Sequence, residues 1–192
     1  MKLNKNDFLK KITNATIHKE PFNHLVIDNL LPDDFYKKLS QDFSNEDFHS
    51  KYTRGDYGNK ERFGVDITDY DTWTHSGKMV PTSIHENNYD SLSNRGSKNI
   101  KLFFDFLLEN QEDLYSTLCS KMQTEKKQDD YFFHVNMTKD HVGYEIEKHT
   151  ESEENIFTIL FYAPENNDNK EFGLHISDCG CNRVHWEAGA KS

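Results

Sequence analysis

The chain has 192 residues, enough for one well-buried core and too few for two comfortable domains. Lys and Arg number 23 against 33 Asp and Glu, and the net charge of −10 argues against a surface built to neutralise nucleic-acid phosphates. Three cysteines (Cys119, Cys179, Cys181) are too few for a disulfide framework, the start Met1-Lys2-Leu3-Asn4-Lys5 lacks the apolar stretch of a secretion signal, and no run approaches the roughly 18 apolar residues of a membrane span, so a cytoplasmic protein with neither nucleic acid nor membrane as partner is expected.

In chain order, Phe8, Leu9 and Ile12 mark one side of a short helix over residues 5–13. Residues 22–28 read as a strand entered through Pro21. Pro32 then stands where a first helical turn favours proline, and Asp33 and Asp34 suit the positive end of the helix dipole. Phe35, Leu39 and Phe43 recur every four residues and predict one buried stripe. Residues 44–96 are polar and rich in Asn, Ser, Asp and Gly. A structureless loop of that length is unusual, so a short strand is expected within it around residues 62–67, the rest serving as surface connection or as a substrate-facing lid.

Ser97 is placed to cap a helix whose apolar positions Ile100, Phe103, Phe104, Leu107 and Leu108 follow the helical period. A further helix carries Leu114, Leu118 and Met122, with Cys119 as a small core residue. Beyond residue 130 the pattern turns to strands, expected over residues 131–137, 143–148, 155–162, 172–176 and 182–187 with turn-like stretches between. With 14 Phe and 9 Tyr, a ring-rich core suits sheets. The expected architecture is a single α+β domain over residues 1–192, with mainly helical and loop support over 1–125 and a β core over 131–192.

Chemistry concentrates at Gly143-Tyr144-Glu145-Ile146-Glu147-Lys148-His149-Thr150-Glu151. Positions two apart on a strand share a face, so His149 and Glu151 can converge on one ion. One imidazole and one carboxylate are two thirds of the facial triad that holds non-haem Fe(II). The spacing alone is common, and His18-Lys19-Glu20 repeats it. Its setting, between Gly143-Tyr144 and the apolar run Ile156-Phe157-Thr158-Ile159-Leu160-Phe161-Tyr162, is less so.

That stretch resembles the core of the 2-oxoglutarate/Fe(II)-dependent oxygenases, in their prolyl-4-hydroxylase-like branch of phage and marine bacterial type. Residues 21–32, Pro-Phe-Asn-His-Leu-Val-Ile-Asp-Asn-Leu-Leu-Pro, resemble the N-terminal strand and helix entry of the same group, and together the two stretches cover about half the chain in order and character. The resemblance implies a double-stranded β-helix (jelly-roll) core with N-terminal helices packed on it, and iron at the barrel mouth on His149, Glu151 and a distal histidine. It further implies that Tyr144 donates its hydroxyl to the co-substrate carboxylate. The implied activity is hydroxylation of a small-molecule or peptidyl substrate, with 2-oxoglutarate as co-substrate and ascorbate as a possible aid.

Two features depart from the family pattern. Glutamate stands at 151 where the family has aspartate, and one extra methylene requires a more relaxed site. The segment around Asn182-Arg183-Val184-His185-Trp186-Glu187 resembles the strand just before the distal histidine, and the given sequence ends at Ser192. Either His185 is the distal ligand in a shortened arrangement, with His175 the weaker candidate, or that ligand and the basic anchor for 2-oxoglutarate are missing and the jelly roll is incomplete at its C-terminal end. In the latter case the chain is a truncated, non-catalytic binding or structural module. A third possibility is tetrahedral zinc on His175, Cys179, Cys181 and His185, although four ligands from one tight loop would be strained.

Overall fold

The computed structural model describes residues 3–45, 62–66, 97–125, 133, 135–140, 156–163, 173–177 and 183–187; at 62–66, 136, 140, 173–177 and 183–187 the description is of the backbone alone. The backbone groups into two compact units, one of Met1–Asn45, Ser97–Gln128 and Tyr162–Ser192, the other of Glu46–Gly96 and Asp129–Phe161.

Among the described residues, the first unit has four helices. Helix α1 (Lys5–Asn14) starts at Asn4, whose side-chain oxygen accepts from the amides of Asn6 at 2.9 Å and Asp7 at 3.2 Å. Two donors that a helix start leaves unpaired are thereby satisfied. Phe8 and Ile12 bury the inner face of α1. The expected strand over residues 22–28 shrinks to β2 (His24–Leu25), paired antiparallel with β1 (Ile17–His18) in the register Ile17↔Leu25 and His18↔His24. Its flanks are open to solvent, with Phe22 52% and Val26 37% exposed, so the apolar run is not covered along its length.

Helix α2 (Asp33–Asn45) follows Pro32, whose carbonyl accepts from the amides of Phe35 and Tyr36, both at 2.9 Å. Phe35 and Leu39 are buried as their spacing predicts, while Phe43 is half-buried. Helix α3 (Lys98–Glu109) buries Ile100, Phe103, Phe104, Phe106 and Leu107. Ser97 occupies the N-cap position, but its hydroxyl makes no capping bond. The cap comes instead from α2, where the carboxylate of Asp42 accepts from the Asn99 amide at 2.7 Å and from its side-chain nitrogen at 3.0 Å. A negative charge at that end also suits the helix dipole.

Helix α4 (Gln111–Met122) buries Leu114, Tyr115, Leu118 and Cys119 and ends at Gln123, whose φ of 55° is left-handed. The core lies where α1 packs on α4 and α2 on α3. Phe8 meets Phe106 edge to face at 5.2 Å between ring centres, and Phe35 lies 6.4 Å from Phe103. Each such aromatic pair adds about 0.5–1.5 kcal/mol beyond its buried area. Two lysines tie the α1–α4 seam, Lys5 to Asp113 at 2.8 Å and Lys121 to the Thr13 carbonyl at 2.7 Å.

The same unit carries the antiparallel pair β5 (Gly173–Ser177) and β6 (Arg183–Glu187), each within a residue of its expected start. In the second unit, β3 (Arg62–Asp66) pairs antiparallel with β4 (Asn136–Asp140), with Val65 opposite Met137. The short strand expected inside the long polar segment is therefore present. Of the strand expected over 131–137, residues 136 and 137 open β4, 133 and 135 are in no strand, and 131, 132 and 134 lie outside the described residues. Val135 and Met137 are buried.

Residues 156–163 depart from expectation most. They lie in no strand, and 158–162 are exposed, Leu160 at 54% and Tyr162 at 49%. Rich β-propensity does not make a strand unless a neighbouring chain pairs its amides and carbonyls, and among the described residues no ladder includes this segment. The expected strand over 143–148 lies outside the described residues. The described strands form three two-stranded sheets.

Candidate functional site

The residues singled out by the sequence fall unevenly on this framework. Tyr144, His149 and Glu151 lie outside the described residues, as do Cys179 and Cys181. His185 is the central residue of β6, and His175 the central residue of β5. The register sets them directly opposite each other, a juxtaposition the linear spacing does not reveal.

The hairpin has two distinct faces. The pairs are Gly173↔Glu187, Leu174↔Trp186, His175↔His185, Ile176↔Val184 and Ser177↔Arg183. Opposed residues of an antiparallel pair share a face, and alternate residues along a strand do likewise. One face therefore collects Leu174, Ile176, Val184 and Trp186, and the other Gly173, His175, Ser177, Arg183, His185 and Glu187. Apolar and polar residues thus alternate between the two faces, and a slip of one residue would exchange them.

Glu187 shares the register face of His175 and His185. It stands two residues after His185, the same His-x-Glu spacing that drew attention to His149 and Glu151. The signal was available in the alternation of Arg183-Val184-His185-Trp186-Glu187, but only the register shows that His175 joins the same face.

Other histidines meet in the first hairpin. The rings of His18 and His24 stack at 5.1 Å with 20° between their planes, and Nδ1 of His24 lies 2.8 Å from the Phe22 carbonyl. That contact has Nδ1–H as donor in the neutral ring. Among the residues described with their side chains, no group of three His, Cys, Asp or Glu is placed to hold a metal ion.

An open concavity of about 730 Å³ lies along α1 and residues 26–32, lined in part by Asp7, Phe8, Lys10, Lys11, Val26 and Asp28. Lys11 donates from its rim to the carbonyls of Asn29 and, at 3.3 Å, Leu30, which holds the turn at Asn29 with its φ of 55°. Among the described residues, two titratable groups are shifted by their surroundings, both on helices. Burial raises the Tyr36 hydroxyl above its ordinary 10.0. Burial first, and then the charge of Glu109, raise the Asp105 carboxyl above 3.8. Neither belongs to the strands that carry the candidate ligands. Among the described residues no helix is long and apolar enough to cross a membrane.

No family model, no curated protein and no solved structure matches this chain.

Proposed function

We propose that the chain is an Fe(II)- and 2-oxoglutarate-dependent dioxygenase that hydroxylates a small-molecule or peptidyl substrate, built on a jelly-roll core. The observation that carries the reading is the His149-Thr150-Glu151 pair, set between Gly143-Tyr144 and the aromatic-aliphatic run of residues 156–162. The donor chemistry suits ferrous iron, since an imidazole and a carboxylate are the protein ligands that leave positions open for co-substrate and oxygen. His185 is assigned as the third ligand on sequence grounds.

Each residue has a defined task in this reading. His149 and Glu151, two residues apart in the sequence, would hold the metal, the glutamate offsetting part of its charge. Tyr144 donates its hydroxyl to a carboxylate of 2-oxoglutarate, a charge-assisted bond that fixes the co-substrate's orientation. Iron, when bound, supplies oxygen activation at the expense of 2-oxoglutarate, which leaves as succinate and carbon dioxide while the substrate gains a hydroxyl. The protein contributes orientation and a cavity that excludes water.

Calorimetric titration of 2-oxoglutarate into the full chain, without oxygen, tests this directly. Binding is expected only after Fe(II) is added, to be abolished by His149→Ala, and to weaken about tenfold or more in Tyr144→Phe, the cost of losing a hydrogen bond to a charged group. Binding that is indifferent to both iron and His149→Ala contradicts the reading.

A further inference from the structure

We draw no further inference here: the strongest candidate, the open concavity along α1 and residues 26–32, has polar lining that is either exposed or, like Lys11, already engaged with the carbonyls of Asn29 and Leu30, and nothing in the structure shows what covers it.

Discussion

Asp42 shows how a single carboxylate can join two helices. It sits near the end of α2 yet accepts two hydrogen bonds from Asn99 at the start of α3, a role that the neighbouring Ser97 suggested for itself in the sequence. Asp42→Ala is expected to cost about 0.5–2 kcal/mol, the usual loss for a helix cap, read as a lower urea midpoint with an unchanged slope. Asp105 is the opposite case. Burial and the charge of Glu109, one turn on, raise its pKa, so ionisation costs the folded chain more than the unfolded one. The stability cost is absent below the unfolded value, grows as pH rises through 3.8 toward the raised folded value, and persists at neutral pH. Lys101, 3.9 Å away and partly solvent-exposed, offsets this little. Asp105→Asn is therefore expected to gain about 0.2–0.5 kcal/mol at pH 7, the size of an exposed like-charge pair one turn apart, and nothing at pH 3. Denaturant midpoints at the two pH values check it.

At the scale of elements, what was legible in the sequence follows from how local each cause is. The helices were readable because Phe8 with Ile12, Phe35 with Leu39, and Ile100 with Phe103, Phe104 and Leu107 repeat at the helical period within a single segment. Phe106 escaped that pattern, since it widens the stripe to meet Phe8 on α1. Phe106→Ala is expected to cost about 3–5 kcal/mol, the range for emptying a buried aromatic site, and thermal denaturation should show it as the loss of many degrees. Strands depend on partners that the local sequence does not name. Residues 156–162 carry every local mark of a buried strand and lie largely exposed outside any ladder, while the plainer β3 is paired. The hairpin falls between these cases. Its alternation located both strands nearly to the residue, yet the meeting of His175, His185 and Glu187 on one face needed the register.

At the scale of the whole molecule, composition points one way and pattern another. An acidic chain of this length with ten histidines has donors to spare for a metal and few basic clusters for phosphate. The proposed site was legible only as a motif: His149 and Glu151 suggest a chemistry by type and spacing, whereas the third ligand this reading needs would come from a distant part of the chain, where sequence offered His175 and His185 or no ligand at all. The oxygenase reading stands on that motif. Its most direct measurement is succinate released from 2-oxoglutarate in air with Fe(II) and ascorbate, comparing the unaltered chain with His149→Ala and Glu151→Gln. Release by the unaltered chain that falls at least a hundredfold in both variants, about 2.7 kcal/mol of lost barrier lowering, is the predicted result. Equal release from all three proteins would contradict it.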